Sequence, residues 1–223
     1  MDITKHMDFY NPMTEFKDQI HIIGCGAIGS TLAEMLTRMG FQELHLWDFD
    51  IVTEHNLANQ MFNSKDIGQL KTFCIAYHCK LINPEIKITC HDKGWDGQPL
   101  KGYVFLAVDN IDLRRRIATD NKYNQQIKGM FDFRMRFSDA QHYGANWHDP
   151  KAVEAFINTM QFTHEEAKAE TPVSACGTSL NIITTVRIIC SYGLCNFLNF
   201  IKEGKIKKMV LIDGFKFDVL AVG

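Results

Sequence analysis

Three glycines in the stretch HIIGCGAIGS, Gly24, Gly26 and Gly29, have the spacing G-x-G-x-x-G. In such a turn the first glycine permits a sharp bend and the second lets the backbone approach a phosphate. The third lets a helix pack closely on a strand. A helix opening at Ala27 presents a partial positive charge to an anion at that point. The chemistry indicated is nucleotide binding. Asp48, at the end of the next apolar run, stands where a carboxylate accepts hydrogen bonds from both ribose hydroxyls. Its plain alternative is a solvated acid at a strand end. NAD and ATP fit these residues equally well, and FAD and S-adenosylmethionine use turns of the same kind.

The elements that must position these residues follow from periodicity. Residues 18–25 form an apolar run broken by His21 alone, which predicts a buried strand. Over 27–40, Ile28, Leu32, Met35, Leu36 and Met39 recur at helical spacing, and Gly40 supplies the stop. Strands are expected at 43–50, 85–91, 102–109 and 128–135, and helices at 70–82 and 111–126. Asn83-Pro84 ends the first of these helices. Alternating strands and helices predict an α/β fold, a Rossmann-like doubly wound sheet that is mostly parallel. Right-handed crossovers then carry Gly24–Gly29, Asp48, Asp109 and Arg134 to one sheet edge, where such folds bind ligands.

The rhythm changes near residue 136. Residues 138–148 suggest strands of mixed direction, 150–170 a polar, helix-rich excursion, and a long helix begins near Cys176. The tail reads as two antiparallel strands about Asp213-Gly214. No linker or repeat divides the chain, so 1–223 is expected to be a single domain. It comprises an arm (1–17), a nucleotide-binding core (18–135) and a C-terminal part (136–223).

Bulk composition narrows the function classes. The 223 residues carry 24 basic and 26 acidic side chains, a net charge of −2, which gives no general attraction to nucleic acid or anionic lipid. The first residues lack the pattern of a secretory signal. The apolar stretch 179–201 includes Arg187 and several polar residues, so a buried helix is expected there rather than a membrane span. A cytoplasmic location is the default. The seven cysteines are odd in number and form no C-x-x-C pair, which argues against a disulfide framework and a four-cysteine zinc site. No metal spacing joins the histidines, and Arg114-Arg115-Arg116 reads as a solvated helix face.

The segment after Asp48 is richer than an ordinary connection. It holds Asp48-Phe49-Asp50, Val52, Asn56-Leu57-Ala58-Asn59-Gln60 and Ile67-Gly68-Gln69-Leu70-Lys71; Asn83-Pro84, Asp109-Asn110 and Arg114 follow. On these residues the chain resembles the ThiF, MoeB and HesA family of adenylyltransferases, related to the ubiquitin-activating enzymes. The resemblance covers residues 18–135 and is diffuse beyond. It implies an enzyme that binds ATP with Mg²⁺ and activates the C-terminal carboxylate of a small ubiquitin-like or sulfur-carrier β-grasp protein. The carboxylate attacks the α-phosphate, giving an acyl-adenylate and pyrophosphate. By the same resemblance Gly24, Gly26, Ala27 and Gly29 cradle the phosphates and Asp48 holds the ribose. Asp50, Asn59 and Gln60 line the nucleotide, and Asn56 helps place the phosphates. Lys71 neutralises their charge, and Asp109 holds Mg²⁺ directly or through water. The plain alternatives are a surface lysine at a helix start for Lys71 and a capping acid for Asp109.

One departure matters. Asn59 stands where the family pattern has arginine, and the first twenty residues hold Lys5 and Lys17 but no arginine. The replacements weighed are Lys65, Arg134 and Arg136. Cys176, in TPVSACGTSL, is a second catalytic candidate, because some relatives use a downstream cysteine for a thioester or persulfide. Its plain reading is a small packed residue. The expectation is an adenylyltransferase that forms a homodimer. Its rivals are a catalytically weakened scaffold that binds nucleotide and recognises a β-grasp partner and, less favoured, an NAD-binding oxidoreductase.

Overall fold

A computed structural model describes residues 1–170 and 182–223. A short helix, α1 (Pro12–Glu15), precedes β1 (Ile20–Ile23), α2 (Ala27–Met39), β2 (Glu43–Trp47), α3 (Lys71–Ile82) and β3 (Lys87–His91). Then come β4 (Gly102–Leu106), α4 (Ile111–Asp120), β5 (Ile127–Arg136), β6 (Asp139–Asn146) and α5 (Pro150–Asn158). The chain continues through α6 (His164–Glu170), α7 (Ile183–Glu203), β7 (Met209–Asp213) and β8 (Asp218–Val222).

These strands form one eight-stranded sheet in the order β3-β2-β1-β4-β5-β6-β7-β8. The pairs from β3 to β5 are parallel, and β6, β7 and β8 are added antiparallel. The order 3-2-1-4-5 is that of a doubly wound nucleotide-binding sheet, so the expected architecture is the observed one.

Alternation within the strands decides which helices cover which face. Ile20 and Ile22 of β1 join Leu32 and Leu36 of α2, Cys74 and Ile75 of α3, and Val186, Ile189 and Phe197 of α7 in one core layer. Ile23, Val104 and Leu106 join Ile111 and Ile117 of α4 and Val153 and Phe156 of α5 in the other. Each large aliphatic side chain buried this way contributes about 1.5–3 kcal/mol before entropy is counted. Ile3, Tyr10 and Phe16 of the N-terminal arm pack against the chain's own first layer, with Phe16 edge-on to Phe41 at 4.8 Å between ring centroids.

Two expectations need correction. The helix predicted over 111–126 stops at Asp120, because the Asn121 carboxamide turns back to donate to Ile117 O at 2.9 Å. The long helix begins at Ile183, after an extended Ile182, and not near Cys176. Its buried apolar side, with Val186, Ile189 and Phe197, belongs to the first core layer. Among the described residues no helix is long and apolar enough to cross a membrane.

Candidate functional site

The three glycines do three different jobs. Gly24 has φ +97°, and a Cβ there would meet the backbone of Ala107 and Val108 at 2.6 Å. It is glycine because the β1 exit bends sharply against the β4 exit. A Cβ on Gly29 would meet Gly24 O at 1.8 Å, so its role is close packing of α2 on the turn. A Cβ on Gly26 would meet nothing within 4 Å. That open ground faces the start of α2, where Gly26 caps the helix and no side chain does. The first-turn N–H groups have no intrahelical partner by construction, an arrangement that suits an anion.

Asp48 closes one side of this cradle. Its Oδ2 accepts from Cys25 N–H at 2.6 Å and its Oδ1 from Asp50 N–H at 2.8 Å. The carboxylate is thereby fixed with each oxygen still holding acceptor capacity. Burial pushes its pKa up, against those two hydrogen bonds and the nearby Lys71. Cys25 is fully buried, and burial raises its thiol well above the ordinary range, so it is not a nucleophile.

Lys71 is not the surface lysine of the plain alternative. It opens α3 yet is 7 % exposed, and its Nζ donates to Asp50 Oδ2 at 2.7 Å. Asn56 belongs to a 3-10 turn over Glu54–Ala58, where its Oδ1 accepts from Thr53 N–H at 2.9 Å and from Thr53 Oγ1 at 3.0 Å. Gln60 N–H donates to Asn56 O at 3.0 Å, and Gln60 Oε1 is buried with no hydrogen-bond partner among the described residues. Met61 N–H then reaches Ser30 Oγ at 3.2 Å, which ties the Asn56–Met61 segment to the first turn of α2.

Asp109 is exposed beyond the end of β4. It is not the capping acid, because Asn110 caps α4 by accepting from Leu113 N–H at 3.0 Å. Behind it lies a buried cluster that the sequence did not reveal. Arg114 is 5 % exposed and donates to Val108 O, Leu106 O, Phe133 O and Asp132. Burial raises the Asp132 pKa, but Arg114 and Arg134 outweigh it and hold the carboxyl below its ordinary value. The triplet 114–116 is therefore not one solvated face. Arg115 donates to Met160 O and Phe162 O, and Arg116 alone is exposed, paired with Asp96.

Arg134 sits at the ligand edge of β5, and each of its three nitrogens donates one hydrogen bond. Nε donates to Asp132 Oδ2 at 2.6 Å, Nη1 to Thr159 O and Nη2 to Thr159 Oγ1, both at 2.8 Å. Its guanidinium also lies 4.5 Å from the Tyr143 ring centroid. The bonds to Thr159 brace β5 against the end of α5. Arg136 is exposed and pairs with Asp139 at 3.3 Å. Cys176 lies outside the described residues.

The structure thus joins Asp48 to the glycine turn through Cys25, Asp50 to Asp48, Lys71 to Asp50, and the Asn56–Met61 segment to the first turn of α2, with Asp109 at the next strand end along the same edge. No group of three or more metal-ligating His, Cys, Asp or Glu occurs among the described residues. One exposed carboxylate still suits Mg²⁺, which commonly takes one or two carboxylates and completes its shell with phosphate and water. Sequence reasoning missed roles for Ser30 and Arg187, and read Arg114, although quoted among the family-motif residues, as part of a solvated face; the partners of all three come from distant segments.

Comparison with known proteins agrees with this geometry. The profile of the ThiF family matches residues 15–131, more than half of the chain. Ubiquitin-like modifier-activating enzyme 5 of Dictyostelium discoideum is 38% identical over 91 residues, 41% of this chain and 21% of that protein. The tRNA threonylcarbamoyladenosine dehydratase of Haemophilus influenzae is 32% identical over 120 residues, 48% of this chain and 44% of that one. The chain spans less than half the length of these relatives. Among solved structures, E. coli MccB with ATP superposes with a TM-score of 0.75 at 16% identity, covering 93% of this chain and 64% of that one. PaaA gives a TM-score of 0.68 at 14% identity, covering 92% and 63%. At such identities the likeness shows the fold.

Proposed function

Because the chain belongs to the ThiF family, we propose that it binds ATP with Mg²⁺ at the Gly24–Gly29 turn and adenylates a carboxylate. The substrate we assign is the C-terminal carboxylate of a small β-grasp protein of ubiquitin-like or sulfur-carrier type. One observation carries the nucleotide reading. The open ground at Gly26 lies before an uncapped helix N-terminus, with the fixed Asp48 carboxylate on the same turn. Phosphate and ribose binding account for both.

The residues divide the work. The first-turn N–H groups of α2 and the Lys71 ammonium face the phosphate chain, and Asp48 accepts from the ribose hydroxyls. Asn56, Asn59 and Gln60 line the nucleotide, and Asp109 holds Mg²⁺ directly or through water. Bound MgATP supplies an electrophilic α-phosphorus, and pyrophosphate leaves as the carboxylate oxygen bonds to it. The protein's contribution to such a transfer is positioning and charge stabilisation. ATP–pyrophosphate exchange with candidate β-grasp proteins tests the reading. Exchange that depends on one carrier's terminal carboxylate supports it, and NADH binding tighter than ATP overturns it.

A second reading has its own observation, the uncharged Asn59. Losing one preorganised donor costs about 10²–10³ in rate. A protein that binds ATP but gives no exchange with any carrier is then a recognition scaffold. We further propose a homodimer, supported by the outer strand β8, which exposes Val219, Leu220 and Val222. A monomer by light scattering at micromolar concentration rejects it.

A further inference from the structure

Charge around the nucleotide turn does not balance. Among the described residues of this turn, Asp48, Asp50 and Asp109 stand with the Lys71 ammonium, and that ammonium is already paired with Asp50. A nucleoside triphosphate brings several more negative charges to this edge. Mg²⁺ offsets part of them, and the helix N-terminus supplies only about half a charge. A further cation near the outer phosphates would offset the remainder.

The structure supplies one from the far end of the chain. Arg187, in the first turns of α7, has Nη2 against Met61 Sδ at 2.6 Å and Nη1 3.3 Å from Glu34 Oε2. Met61 directly follows Asn59-Gln60 and is bonded through its N–H to Ser30 Oγ. One turn further along α7, Cys190 Sγ touches Ile28 O at 3.7 Å, so this part of α7 lies against the opening turn of α2. The guanidinium therefore sits behind the segment that would cover the phosphates.

Its present partners leave it available. A thioether is a weak acceptor. Glu34 is shared, because Arg38 Nε already holds its Oε1 at 2.8 Å, closer than Arg187 approaches Oε2. Two guanidinium groups around one carboxylate leave a net positive charge. The Arg187 side chain is also 41 % exposed, unlike buried Arg114 or braced Arg134.

We propose that Arg187 binds the outer phosphates of a nucleoside triphosphate and supplies the charge that Asn59 does not. The proposal rests on the nucleotide reading above. The plain alternative is that Arg187 only ties α7 to α2 through Glu34.

Titration calorimetry with ATP and AMP on the full chain separates the cases, with thermal melting as the folding check. Arg187→Ala should weaken ATP about tenfold or more, the value of a charge-assisted contact, and leave AMP unchanged. Arg187→Lys should fall between, and Asn59→Arg placed in Arg187→Ala should recover ATP affinity. Glu34→Gln removes the tie but keeps the arginine, so it should hold or tighten ATP binding. Equal loss of ATP and AMP in Arg187→Ala, or the same loss in Glu34→Gln, shows a structural tie and overturns the proposal. Unchanged ATP affinity in Arg187→Ala overturns it as well. A wild type that binds neither nucleotide overturns the nucleotide reading itself, and the proposal falls with it.

Discussion

Lys71 and Asp50 are joined twice. The Lys71 ammonium donates to Asp50 Oδ2 at 2.7 Å, and the Lys71 backbone N–H donates to Asp50 O at 2.9 Å. The backbone bond pins the start of α3 beside the end of β2, and the side-chain bond then aims a buried cation along the ligand edge. Lys71→Ala keeps the first and loses the second. Pyrophosphate exchange should drop by about 10²–10³, while the melting temperature moves little because Asp50 stays solvated. An exchange rate within threefold of wild type counts against Lys71 as a phosphate partner.

Gly26 and Gly29 should separate binding from folding. Gly26→Val adds its branches where nothing stands within 4 Å, so the protein should fold normally and lose ATP binding. Gly29→Ala drives a methyl into Gly24 O and should cost on the order of 3 kcal/mol of stability. Urea unfolding and calorimetry read the two effects. Normal ATP affinity in Gly26→Val would refute the cradle.

Asp48→Ala removes the acceptor offered to the ribose and also frees the Cys25 and Asp50 N–H groups. Affinity for both ATP and AMP should fall together, by about tenfold or more, because the ribose is common to them. A loss confined to ATP would move Asp48 from the sugar to the phosphates.

Arg134→Ala should act on stability. It leaves fully buried Asp132 with Arg114 as its remaining cation and costs about 3 kcal/mol, the low end for breaking a buried pair. ATP affinity of the folded protein should not change. A stable variant that loses exchange would return Arg134 to the phosphates.

Two buried histidines predict a pH dependence. Burial lowers the His142 pKa to about 4, and its ring is fixed as the neutral form, with Nδ1 donating to Asp132 O and Nε2 accepting from Asn196. Burial, with His45 and His91 nearby, lowers that of His21 to about 3. Both are depressed below the ordinary 6.5 of the unfolded chain, so their contribution is complete above that value. Stability is lost as pH falls from about 6.5 toward 4, by roughly 1.4 kcal/mol per pH unit for each ring. Urea unfolding at pH 7.5 and 5.0 should show the fall, and His142→Gln should halve it. An equal fall in His142→Gln would assign the effect to other groups.

What could be read from the sequence was what local rules dictate. The glycine turn, the strand-end acid at Asp48 and the closing hairpin at Asp213-Gly214 each depend on neighbours along the chain. Arg114 was misread because its partners, Asp132 and the carbonyls of Leu106 and Phe133, are contributed by β4 and β5. Arg187 sat in an apolar run that looked like plain core, and its partners Glu34 and Met61 belong to the other half of the chain. Helix ends were missed where a single asparagine, Asn121, decides them through its own carboxamide.

The contact of Gly24 with Ala107 and Val108 bears on the order of synthesis. The bend at Gly24 leaves the ribosome before the wall it leans on, which is translated only with the end of β4. Until then β1 lacks one of its two parallel neighbours, and the turn is held from the β2 side alone, through Gly24 N–H to Trp47 O and Cys25 N–H to Asp48. A nascent chain cut short before β4 should therefore expose the apolar residues of β1 and β2 and fail to retain nucleotide. The Gly24–Gly29 turn thus gains its wall only after the end of β4 has been made.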